Sequence, residues 1–277
     1  MKTAIRSLSV SWFLVYKGEN MFKELYEYRE LLKSSIKKEI RGKYKASFLG
    51  VIWSFINPLL QVLVYAIVFP YLIGNRVDNY VVYLITGIIP WTFFSTVIQT
   101  CGTCIKANSG IIKKVYFPRI ILPISSMLSG LINFFISCLI VVLFCIVFGV
   151  GVSWHIIFVP VFAIIEGLFA MGIGMVVGAC DAYVQDLEYI INFLLQLAFY
   201  GTPIVYSIEQ VGSAGLLGTL VRLNPMTQII MGFRDCFLYH QVPQMNIILI
   251  LLAVSLAVLA AGIFVFNKLE KGFAEQF

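Results

Sequence analysis

Long stretches of this chain carry no Asp, Glu, Lys or Arg, among them Ala46 to Asn75, Asn79 to Ile105, and Ile120 to Ile165. A hydrocarbon slab about 30 Å thick is crossed by about 20 apolar helical residues. Each tract is long enough to cross, and the last is long enough to cross more than once. Lipid offers the backbone no hydrogen bonds, so only helices and closed barrels span it. Barrel strands alternate apolar and polar residues over about ten positions. The run from Ile136 to Phe148 does not alternate, so the pattern predicts an all-α integral membrane protein. A hydrophobic fraction of 60% agrees, since soluble chains hold roughly 45–50%.

Six spans are expected: Val51–Ile73, Tyr80–Thr100, Ile120–Phe148, His155–Ala179, Tyr189–Tyr206 (interrupted at Gly201-Thr202-Pro203) and Met245–Phe266. Residues 1–21 read as an N-terminal tail, 22–50 as an amphipathic interfacial helix and 51–277 as the membrane domain. In the second of these, Tyr28, Leu32, Ile36, Ile40, Tyr44 and Phe48 recur every four residues among lysines and arginines. That arrangement suits a helix lying in the membrane interface. Within the membrane domain, 104–119 form a polar connection, and 207–244 hold apolar pieces too short to cross, between Pro203, Pro225 and Pro243. Such pieces are expected as short re-entrant helices, which enter the membrane only where protein shields them.

Charge fixes the orientation. Eleven basic residues precede the first span, four lie between the second and third, and two follow the last. Only Arg76, Arg222 and Arg234 fall on the other side. Basic residues stay in the cytoplasm, so both termini are expected there. The net charge of +6 is concentrated beside a span, which points to anionic lipid and not to nucleic acid. No cleavable signal peptide is read at the start: the apolar patch Val10 to Val15 is too short.

Residues for catalysis are sparse. No phosphate-binding loop, no His-Glu-x-x-His and no Gly-x-Ser-x-Gly occurs. Cys101 and Cys104 lack the second pair or histidines that a metal site needs. His155 and His240 are far apart. Glu166 is the one acid inside a span, where a charge is a functional candidate; a helix-locking carboxyl is the other reading. Ala170, Gly174 and Gly178 share a face of that span, which allows close helix approach. Aromatics in the spans include Tyr65, Trp91, Phe94, Tyr200 and Tyr206; sugar rings stack on such faces, so they are candidate channel-lining residues.

The order of motifs resembles the permeases of ABC-2 type exporters of polysaccharides, O-antigens and teichoic acids. It begins with Arg41-Gly42-Lys43-Tyr44-Lys45-Ala46-Ser47-Phe48-Leu49-Gly50, closed by Asn57-Pro58. Pro90-Trp91-Thr92-Phe93-Phe94 and the run from Asn108 to Arg119 follow. Asp186, Pro203-Ile204-Val205-Tyr206, Asn224-Pro225, Arg234 and the tail Phe273–Phe277 complete the series. The resemblance covers residues 22–277. It implies a homodimeric pore with two separate ATPase subunits, which would bind ATP and Mg. This chain itself would carry no cofactor and no ATPase activity. The cargo would be a lipid-linked glycan, with O-antigen, capsule and teichoic acid left open, and the location the bacterial cytoplasmic membrane. Asn108, Lys113, Lys114, Phe117, Pro118 and Arg119 would couple to the ATPase; Arg41, Lys43, Tyr44 and Lys45 would lie at the channel entrance. An ion-coupled secondary transporter is the rival class, but no internal repeat supports it.

Overall fold

In the computed structural model, residues 26–44, 53–73, 77–115, 117–184, 186–211 and 215–273 are described. The expected tail 1–21, Lys45 and the last four residues lie outside them, as do the side chains of Lys43 and Tyr44. Eleven α-helices are described: α1 (Arg29–Tyr44), α2 (Trp53–Ile73), α3 (Tyr80–Ala107), α4 (Ser109–Ile112), α5 (Ile121–Val147), α6 (Val159–Asp181), α7 (Leu187–Tyr200), α8 (Ile208–Val211), α9 (Leu216–Leu223), α10 (Pro225–Arg234) and α11 (Met245–Leu269). No strand occurs among the described residues.

Four helical stretches are long and apolar enough to cross a membrane: Tyr80–Ala107, Ile121–Val147, Trp154–Asp181 and Met245–Leu269. Ile56–Tyr71 and Leu187–Tyr200 are shorter apolar helices. Two expected boundaries move. The second span runs on to Ala107, where Lys106 finds a partner in Asp181 of α6. The fifth stops at Tyr200 after 14 residues, where irregular backbone from Gly201 to Tyr206 takes over.

α3 is the hub. Every residue from Val82 to Trp91 on it is buried, and it packs against α2, α5, α6, α7 and α10. α11 lies on the periphery, with alternating exposed positions such as Leu249, Ile250, Leu256 and Phe264. An apolar helix with an exposed apolar face suits lipid contact. Close approach is set by glycine. A Cβ on Gly172 would lie 2.7 Å from the Leu259 backbone nitrogen of α11, and one on Gly178 would lie 2.5 Å from the Cys101 carbonyl oxygen of α3. The small-residue stripe on α6 therefore serves packing within the chain.

The helix ends fall into two groups. At one end, Lys106 of α3 pairs with Asp181 of α6 at 2.8 Å, and Arg119 before α5 donates to the Glu270 carbonyl after α11. α1 lies at this same end. At the other end, the Tyr80 and Tyr83 hydroxyls donate to the Val205 and Tyr206 carbonyls.

Candidate coupling face and translocation face

The coupling segment is a single helical turn held from both sides. Asn108 donates through Nδ2 to the Cys104 carbonyl at 2.8 Å, so its side chain caps α3. Its Oδ1 accepts from Lys38 of α1 at 2.9 Å. Ile112 is buried, while Ile111, Lys113, Lys114 and Val115 are exposed. Phe117 is 5% exposed. Arg119, besides its bond to Glu270, stands 5.7 Å over the ring of Phe273, which is itself enclosed by Tyr183 and Phe266. Pro118 is half-buried. The six residues expected at this contact thus divide. Lys113 and Lys114 project outward; Phe117 and Arg119 face their own chain and stiffen the base.

α1 is fastened by a residue that sequence reading passed over. Glu39 accepts hydrogen bonds from Ser125, Ser126 and Ser129 of α5, at 3.2, 2.9 and 2.5 Å. An acid among lysines reads as solvated. The available signal was the group of three serines at the start of an otherwise apolar span, which can turn toward one acceptor on a helix. The lysine-rich face, including Lys33, Lys37, Lys38 and Arg41, stays exposed. Bonds to a carboxylate are stronger than neutral ones. Glu39→Ala should loosen the docking of α1 by about 3 kcal/mol. Limited trypsin digestion in detergent would then cut after Lys37 and Lys38 faster than in the wild type.

The aromatic candidates form one connected set. Tyr65 of α2 meets Phe199 of α7 at 5.9 Å between ring centroids, and Phe199 meets Trp91 of α3 at 5.7 Å. Trp91 meets Phe94 at 5.5 Å, and Phe94 stacks on Phe169 of α6 at 5.7 Å. Tyr200 joins through Phe199 at 5.3 Å and is exposed. Trp91 and Phe94 are buried within the chain. Tyr206 stands apart, its hydroxyl donating to the Tyr200 carbonyl.

Glu166 is fully buried in α6, and neither carboxyl oxygen meets a hydrogen-bond partner among the described residues. At the end of the bundle away from α4, Arg234 is also fully buried. It donates to the carbonyls of Pro203 (2.8 Å), Ile204 (3.1 Å) and Tyr83 (3.4 Å). Its guanidinium lies 3.4 Å from the Tyr83 ring centroid. Asn224 caps α10 by accepting from the Met226 backbone and donates to Thr202.

Residues 30–238 match the family described as ABC-2 type transporter. The chain belongs to that family. Among the relatives of this ABC-2 permease is an O-antigen export system permease protein RfbA of Myxococcus xanthus. It is 30% identical over 256 residues, covering 92% of this chain and 98% of that one. Two proteins of the same description from Klebsiella pneumoniae are 31% and 30% identical, each covering 89% of this chain and 94% of theirs. The ABC-2 permease is accordingly a multi-pass inner-membrane protein, the membrane part of an ABC transporter. That class works with an ATPase partner. The exposed basic pair at one end and the aromatic set along the helices acquire their meaning in that setting.

Proposed function

We propose that this permease is one half of the membrane path of an ATP-driven exporter for a lipid-linked cell-surface glycan of the O-antigen kind. The observation that carries this reading is the aromatic series Tyr65–Phe199–Trp91–Phe94 across three spans, in a chain whose relatives are named O-antigen export permeases. A long polar glycan cannot cross hydrocarbon; Tyr200 and the half-buried Tyr65, the exposed members of this set, offer it a sequence-tolerant sliding surface backed by the buried Phe199, Trp91 and Phe94.

Six crossings and two cytoplasmic termini complete the proposal. The end holding α1, α4 and the close of α11 is the cytoplasmic one. Two copies of this chain enclose the path, and two ATPase subunits sit beneath α4, binding ATP and Mg. Motion at Lys113 and Lys114 is passed to α3 through Asn108, to α1 through Lys38, and to α6 through the Lys106–Asp181 pair. Each of these links is short and direct, so a displacement of α4 moves three helices together.

The test is surface display. Cells lacking the gene should accumulate lipid-linked glycan inside and regain it outside when the gene and its ATPase are supplied. Supply with an ATPase unable to hydrolyse ATP should fail; glycan display independent of ATP hydrolysis rejects the proposal. Lys113→Glu together with Lys114→Glu should reduce co-purification of the ATPase by about tenfold, since two attractive contacts become repulsive. Undiminished co-purification moves the docking face elsewhere.

A further inference from the structure

Three helices carry polar side chains at helical spacing, and the stripes of two of them meet. On α7 the residues are Glu188, Asn192, Gln196 and Tyr200, all exposed. On α3 they are Ser95, Gln99 and Thr103, of which Gln99 is exposed. On α2 they are Asn57, Gln61 and Tyr65, where the Gln61 amide donates to the Tyr65 hydroxyl at 3.3 Å. The stripes of α3 and α7 are tied together by Gln99 Nε2 donating to Asn192 Oδ1 at 2.9 Å, across 93 residues of sequence. Residues four apart fall on one helix face, so each stripe is continuous.

These amides have bonding capacity to spare. A carboxamide carries two donors and one acceptor oxygen. The Gln99–Asn192 contact uses one donor and one acceptor, and Gln196 has no side-chain partner among the described residues. Hydrocarbon cannot satisfy the remainder. α7 already has a separate apolar exposed face, made by Ile190, Phe193, Leu194 and Leu197, and that face suits lipid. Amides also bond across helix seams; a seam here would bury Asn192 and Gln196 and close them to a water-soluble reagent.

We propose that Gln99, Asn192 and Gln196 form a hydrogen-bonding rail for the sugar hydroxyls of an uncharged glycan. This rests on the exporter reading given above. A hydroxyl both donates and accepts, and so does a carboxamide. The rail occupies the half of the path nearer α4. The aromatic tier lies in the half beyond it, since Trp91 lies eight residues, or about 12 Å, up α3 from Gln99; there Tyr200 is exposed and is backed by buried Phe199 and Trp91. The glycan is held first by its hydroxyl edges and then by a ring face against Tyr200. No Lys or Arg occurs on the three stripes, and the one charge is the acid Glu188. A polyol phosphate would need cations there, so the rail selects a neutral chain.

Single cysteines test the surface, and leucines test the ligand. In membrane vesicles, Asn192→Cys and Gln196→Cys should react with a charged, water-soluble thiosulfonate several-fold faster than Phe193→Cys and Leu197→Cys on the same helix. The wild-type protein gives the background from its native thiols. Equal rates at the four positions overturn the rail. In cells with the complete exporter, Asn192→Leu and Gln196→Leu should each slow the appearance of surface glycan about fivefold, the effect of one lost hydrogen bond. Asn192→Gln should retain most of the rate. Both leucine variants should still co-purify the ATPase, which separates the ligand effect from misfolding. Wild-type export rates in both leucine variants overturn the proposal. Absence of surface glycan from the wild-type chain overturns the exporter reading and the sugar assignment with it, while the thiol contrast still decides whether the stripe faces water.

Discussion

Gly178→Leu is expected to abolish the folded bundle. Even the first added carbon would sit 2.5 Å from the Cys101 carbonyl oxygen and 3.3 Å from that of Gly102. Both are backbone atoms of α3, the helix on which α2, α5, α6, α7 and α10 all rest. Relief by side-chain movement is therefore closed, and the hub itself would have to shift. Overpacking of this kind costs about 3 kcal/mol or more. Size-exclusion chromatography of detergent extracts should show aggregate in place of a monodisperse peak. Gly178→Ala should lower the unfolding temperature while leaving some folded protein. Gly110→Ala is the control: nothing lies within 4 Å of a Cβ there, so its profile should match the wild type. A normal profile for Gly178→Leu would mean that α3 and α6 are farther apart than described.

Arg234→Met is expected to give the second largest effect. The buried guanidinium satisfies carbonyls from two separate segments and covers the Tyr83 ring. Methionine fills much of the volume but leaves the carbonyls without a donor in a dry site. Unpaired buried polar groups cost about 1–3 kcal/mol each, so α10 should detach from α3 while the other helices remain. Protease added from outside should then cleave between Ile208 and Leu223. Export should be lost although the ATPase still co-purifies. Arg234→Lys should rescue little, because a single ammonium cannot replace the planar fork. Full export by Arg234→Met would show that the fastening is dispensable.

The membrane-spanning character was legible because charge is so costly in lipid that its absence marks the tracts. Where a span ends was less legible. Thr103 and Lys106 look like loop residues, yet α3 continues through them because Lys106 has Asp181 as a partner. The fifth span was read too long: Pro203 to Tyr206 are apolar, but their carbonyls are taken by Arg234, Tyr80 and Tyr83 and not by a helix. Such long-range partners leave no local trace. The same cause hid Glu39, whose role depends on three serines 86 to 90 residues away. At the coupling segment, the residue types were legible but their directions were not. Phe117 and Arg119 look like surface contacts in a basic loop, and only tertiary packing turns them inward. Of the aromatics, the sequence offered the set; the structure separates Tyr206 from it and adds Phe199 at its centre.

The irregular backbone after α7 also dictates an order of assembly. Pro203 and Ile204 leave the ribosome about thirty residues ahead of Arg234, the donor that their carbonyls require. Until that arginine emerges and α10 docks, the newly made segment holds bare oxygens that lipid cannot solvate. The translocon, or its water, must shelter it through that interval. Closure of this corner is then among the last events of biogenesis, and slow synthesis between the two points would expose the nascent chain to quality-control proteases for longer.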